Sequence, residues 1–152
     1  MKRTDIVKAF VKALESHDLE KVASYLSDDF TFTGLTSLPI GREGFLDLQR
    51  GILSAFRDWS YNLSDVVEEG GMVRATARIT GTHTGDLVVP VPDLPVVPAT
   101  GRRFSLPAET HLYSVRGSKI ATLRILVVPG GGFQGLYRRL GARLPEPSLI
   151  NG

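Results

Sequence analysis

Four side chains in this sequence carry types and spacings suited to proton chemistry: His83, Glu109, His111 and Arg124. Glu109 and His111 stand two apart in "AETHLYSVR", which alternates as a strand, so they share one face. Residues 117–118, Gly-Ser, turn this strand back on "KIATLRILV". If Arg116 pairs with Lys119, His111 lies opposite Arg124 and Glu109 lies diagonal to it. Such a trio could act as a general acid and base, with Arg124 keeping Glu109 ionised or steadying an oxyanion. It could equally be a salt-bridged patch on a solvent or dimer face.

The same register places Phe104, Leu106, Ala108, Thr110 and Leu112 against Ala121, Leu123, Ile125 and Val127 as the core face. Glu109, His111 and Tyr113 then face away from the helices, unless a β-bulge between the turn and His111 turns them inward. His83 has the parity of Val73, Ala75, Ala77 and Ile79, so it continues an apolar face to the end of its strand. It reads either as a histidine on a pocket rim or as a core histidine bonded to backbone.

After His83 comes "GDLVVPVPDLPVVPATG", stiffened by Pro90, Pro92, Pro95 and Pro98 and nearly free of charge. Proline limits the unfolded freedom of such a loop, and its Val and Leu side chains need an apolar surface to lie on. The expectation is a flap over the mouth of a small-molecule pocket, with Leu87 reaching the ligand. Phe10, Phe32, Phe56 and Trp59 are the aromatic candidates for the same pocket, and core residues otherwise.

The elements that would position these groups follow from periodicity. Ile6, Val7, Phe10, Val11 and Leu14 have helical spacing behind a Thr4 or Asp5 cap, and Asp18 starts a second short helix. A strand at 30–34, a helix at 42–56, and strands at 59–69 and 72–84 around a Gly70-Gly71 turn come next. Strands at 103–116 and 119–128 and a helix at 133–140 complete the chain. Helices first and an antiparallel sheet second is an α+β plan, a cone-shaped curved sheet packed on N-terminal helices that can retain an apolar cavity. One domain at 1–145 and a flexible tail at 146–152 are expected.

Composition narrows the function classes. Hydrophobic residues at 42% and charged residues at 22% support a packed core rather than disorder. A net charge of +2 gives no reason to expect nucleic acid, although 110–145 carries only basic charge. There is no cysteine, hence no thiol chemistry or disulfide. No segment has the length of a membrane span, and the charged N-terminus does not read as a signal peptide, so the expectation is a cytoplasmic protein. The three histidines are far apart and no metal-ligand spacing occurs, so no metal and no cofactor are expected. "GGGF" at 130–133 precedes a helix as a plain loop-to-helix turn or an anion-binding nest.

"GTHTGDL" at 81–87, "PATGRRF" at 98–104, "GSKI" at 117–120 and "LYRRLG" at 136–141 together resemble the SnoaL-like polyketide cyclases of the nuclear transport factor 2-like superfamily. The resemblance spans roughly residues 4–142. It implies the α+β cone, a homodimer, an apolar ligand and ring closure by proton abstraction beside a carbonyl, without metal or cofactor. It also implies a carboxylate near the end of the last strand. Here "KIATLRILVVPGGG" offers no Asp or Glu, only Ile125 or Val128 near that place. Arg138 and Arg139 stand where glutamine is usual in the last helix. Two functions stay open: a cofactor-independent cyclase or isomerase, and a ligand-binding or dimerisation module that has lost its carboxylate.

Overall fold

The computed structural model describes residues 1–144; the expected domain end at 145 and the tail at 146–152 lie outside the described residues. The order is α1 (Arg3–Glu15), α2 (Leu19–Ser24), β1 (Leu26–Thr33), β2 (Ile40–Gly41), α3 (Arg42–Ala55), β3 (Ser64–Glu69), β4 (Met72–Ala77), β5 (Thr80–Thr82), β6 (Arg103–Ser105), β7 (Glu109–Arg116), β8 (Lys119–Leu126) and α4 (Gly132–Arg139). The fold is the expected α+β plan, a curved sheet with helices packed on one side. Six strands run β2-β1-β8-β7-β4-β3, and β5 and β6 form a separate pair. The sheet is not purely antiparallel, because β1 runs parallel to β8.

Local chemistry accounts for the main elements. The apolar stripe of α1, from Ile6 to Leu14, is buried, although the helix starts two to three residues early at a Lys2 cap that makes no side-chain bond. Asp18 caps α2 by accepting from the Lys21 amide at 3.1 Å. Phe45 of α3 sits at the centre of the core, its ring 5.1 Å from that of Phe30 and 5.0 Å from that of Phe32. Burying each such ring contributes roughly 1.5–3 kcal/mol. Gly70 and Gly71 both have positive φ, as the two-residue hairpin between β3 and β4 requires.

The expected long strands are interrupted. Residues 59–63 form no strand beyond a single bridge from Ser60 to Thr80. The run 72–84 breaks before Thr80, and the run 103–116 breaks at 106–108, around Pro107. The decisive irregularity lies in the β7–β8 hairpin. Arg116 pairs with Lys119 and Val115 with Ile120, but Ser114 then pairs with Thr122. Ala121 is one extra residue, and beyond it the faces exchange. Glu109, His111 and Tyr113 therefore look inward with Leu123 and Ile125, while Thr110 and Leu112 move to the outer face. This reverses the simple register.

The proline-rich segment is docked, but not where expected. Leu87 and Val97 exchange both backbone hydrogen bonds, at 2.9 and 3.1 Å, and make a short ribbon. Leu87, Val89 and Val97 are buried beneath it, whereas Val88 and Val96 are 55% and 58% exposed. The ribbon rests on the second half of α3. A Cβ at Gly51 would collide with the Val88 carbonyl, one at Gly85 with the Ser54 carbonyl, and the Thr84 and Gly85 amides donate to Ala55 O. In an exposed helix interior, Gly→Ala gains about 1 kcal/mol. Gly51→Ala is expected to reverse that sign and cost about 1–3 kcal/mol by overpacking. Amide exchange at Leu87 and Val97, faster in the variant, checks it; a stabilised protein would refute the docking.

Candidate active site

A cavity of about 60 Å³ lies between α1, α3, the inner sheet face and α4. Leu14, Phe32, Phe45, Ile52, Leu123 and Ile125 are among the apolar side chains of its wall. Six lining residues have polar side-chain atoms: Gln49, Trp59, Tyr61, Glu109, His111 and Tyr113.

Glu109 begins β7 and is 4% exposed. Its Oε2 accepts from the Val128 amide at 3.3 Å, and the Gly132 amide also donates to the carboxylate. Burial raises its pKa above the ordinary carboxylate range, and the two amides oppose that rise. The carboxyl is thus a better proton acceptor than an exposed glutamate, with its ionised form held by fixed donors.

His111, 2% exposed, follows on the same face, and the Tyr61 ring meets it edge-on at 6.3 Å. Neither ring nitrogen has a hydrogen-bond partner. Burial lowers its pKa to about 4, so the imidazole is neutral near pH 7. A neutral imidazole offers one N–H donor and one acceptor. Here both lack a protein partner, on a residue that lines the cavity. Tyr61 is protonated, its pKa pushed up by burial, and its hydroxyl donates to Gln49 Oε1 at 3.4 Å.

The sequence-derived candidates separate into two groups. Glu109, His111, Phe32 and Trp59 line the cavity. Arg124 does not: the bulge pairs it with Leu112, on the exposed outer face, so the Glu109–His111–Arg124 cluster does not form. His83 is fully buried but lies at the root of the ribbon, not on the cavity wall. Its Nδ1 is 2.9 Å from Thr100 Oγ1 and accepts from the Thr100 amide at 3.2 Å, and its ring packs 5.2 Å from Phe56. That is the core-histidine alternative. Phe56 packs on His83, Trp59 and Phe104, and Phe10 on Phe45 and Tyr113. Leu87 belongs to the ribbon; none of these three lines the cavity.

Residues 7–123 match the SnoaL-like domain family. The chain belongs to this family. Solved structures agree on the fold. AclR from Streptomyces galilaeus, a proposed hydroxylase, superposes with a TM-score of 0.74 at 21% identity, over 91% of this chain and 80% of its own. A SnoaL-like polyketide cyclase from Agrobacterium tumefaciens gives 0.63 at 19% identity, over 82% and 91%. TsrD from Streptomyces laurentii gives 0.68 at 24% identity, over 94% and 99%. A search of curated proteins finds no match.

In this SnoaL-like domain the last strand has no carboxylate, yet the Glu109 oxygen lies against the Val128 amide just beyond that strand. An acid from β7 thus reaches the end of β8. Sequence reasoning missed Gln49, although a glutamine between Phe45 and Ile52 on the buried stripe of α3 was a visible signal. It also missed Tyr61, since Trp59 and Tyr61 both reach the cavity from a segment that is not a strand. Among the described residues no group of three His, Asp or Glu could hold a metal ion, and no helix is long and apolar enough to cross a membrane.

Proposed function

We propose that this SnoaL-like domain binds a small apolar carbonyl compound and moves a proton at the carbon beside the carbonyl, as a cyclase or isomerase that needs no cofactor. The observation that carries this reading is one cavity holding both a buried carboxylate, Glu109, and an imidazole with two unpartnered nitrogens, His111. Glu109 takes the C–H proton, and the electron pair of that bond passes to the carbonyl oxygen. Neutral His111 donates its N–H to the enolate oxygen as it forms. In a cyclisation the enolate carbon then bonds to a second carbonyl carbon, and the new alkoxide takes the proton back from Glu109. In an isomerisation the proton returns at another carbon. Every atom is supplied by substrate and carboxyl.

At about 60 Å³ the cavity is under half the roughly 150 Å³ that houses benzene, so a ring-sized guest has to displace a wall. The eight-residue α4, which contributes Gly132, Phe133 and Leu136, is the shortest helix in that wall. The test is solvent exchange. Small enolisable ketones incubated with the protein in D2O should gain deuterium beside the carbonyl faster than in buffer. Absence of exchange across a panel of such ketones, despite binding seen by ligand-detected NMR, would favour the other reading, a binding module without turnover. The apolar majority of the wall and the lack of a carboxylate in β8 itself support that alternative.

The homodimer is proposed on the outer sheet face. Leu112 and Leu126 flank Arg124 there, Leu126 being among the exposed large apolar residues. Arg124→Glu is expected to shift sedimentation from dimer toward monomer. A dimer unaffected by the charge reversal would place the interface elsewhere.

A further inference from the structure

We infer that the Gly130–Gly132 turn at the start of α4 is the positioning element for Glu109, and that Gly131 is the residue on which it depends. The role in catalysis rests on the reading of Glu109 as the base; the positioning itself does not. The sequence left this triple glycine as a plain turn or an anion-binding nest. In the structure the turn lies against the protein's own carboxylate, Glu109, which accepts from the Val128 amide just before it.

Three features support this. Gly130 and Gly132 have φ of +84° and +63°, a backbone path that costs little only for glycine. A Cβ at Gly131 would collide with Glu109 Oε2 and crowd Cδ, so the carboxylate occupies the room that this side chain would need. The turn is tied at both ends, by the Gly131 amide donating to Val128 O at 2.9 Å and by the Gly135 amide donating to Gly131 O at 3.0 Å. The amides of Val128 and Gly132 therefore point at the carboxylate from a rigid frame, and the positive end of α4 adds to them. No Asp or Glu lies between Lys119 and Phe133 to do this work, so the turn keeps in place an acid borrowed from the neighbouring strand.

The test is made on the full chain without substrate. The Glu109 carboxyl carbon is titrated by NMR in the wild type and in Gly131→Ala. Lost amide contacts should raise the midpoint by about one pH unit, because the carboxyl stays buried while its ionised form loses donors. Should Gly131→Ala not fold, the wild type still decides. The Val128 and Gly132 amide signals should move with the Glu109 midpoint and stop doing so in Glu109→Gln. An unmoved midpoint in a folded Gly131→Ala, or wild-type amides indifferent to that titration, would overturn the inference. The deuterium-exchange profile separates the two claims. If the Glu109 midpoint moves and the pH–rate profile moves with it, both stand. If only the midpoint moves, positioning stands and the base is another group.

Discussion

Glu109→Gln should lower deuterium exchange by two to four orders of magnitude, about the contribution of a well-placed general base, while making the protein more stable at neutral pH. The loss of rate follows because the amide cannot accept the proton, although its oxygen can still take the Val128 and Gly132 N–H groups. The gain in stability follows from linkage. Burial holds the Glu109 pKa above its ordinary 4.5. Between that value and the folded one, the native protein binds more protons than the unfolded chain, so stability falls as pH rises through this window. Above the window the cost of a buried charge is fully present. Glutamine never bears it. Denaturant midpoints should therefore favour the variant at pH 7 and converge with wild type below about pH 4. An exchange rate indifferent to the substitution would remove Glu109 from the mechanism.

The second large effect has the opposite sign. Burial lowers the His111 pKa from 6.5 to about 4, so below 6.5 the unfolded chain takes a proton that the native protein does not. Stability is lost as pH falls from 6.5 toward 4, by roughly 3 kcal/mol over the whole window. Replacing His111 by Phe keeps a ring beside Tyr61 and removes the titration. Glu109 titrates in part of the same range with opposite slope and sits two residues away, so the clean comparison is made in the Glu109→Gln background. There the single variant should lose urea midpoint between pH 6.5 and 4, and the Glu109→Gln, His111→Phe pair should lose less of it, the remainder coming from His83, whose pKa burial also lowers. Equal acid sensitivity in the two would mean that His111 is not the group being titrated.

How far the residues alone disclosed this site depends on a single alanine. Apolar periodicity was enough for α1, α3 and the two hairpins, and the ordered motifs from 81 to 141 pointed to the family. Parity then failed at Ala121, where one extra residue exchanged the two faces of β7 relative to the simple pairing. A bulge leaves no reliable mark in a lone sequence, because the residue it adds has an ordinary side chain and a merely local backbone change. The result was a cluster of Glu109, His111 and Arg124 on one face, where the structure turns Glu109 and His111 inward and leaves Arg124 outside. His83 misled for a different reason. A polar residue at the end of an apolar strand suits a pocket rim and a loop anchor alike, and only the Thr100 contact separates them. The ribbon misled similarly: its greasy side chains demanded a surface, and α3 supplied one at Gly51, with Gly85 letting the chain close on Ser54.

The narrowness of the chamber sets an order of events. On the proposed reading a guest bulkier than a few atoms needs the wall to yield before it fits, and Phe133 and Leu136 belong to that wall. Entry and departure would then share one slow movement, and both rates should fall as solvent viscosity rises.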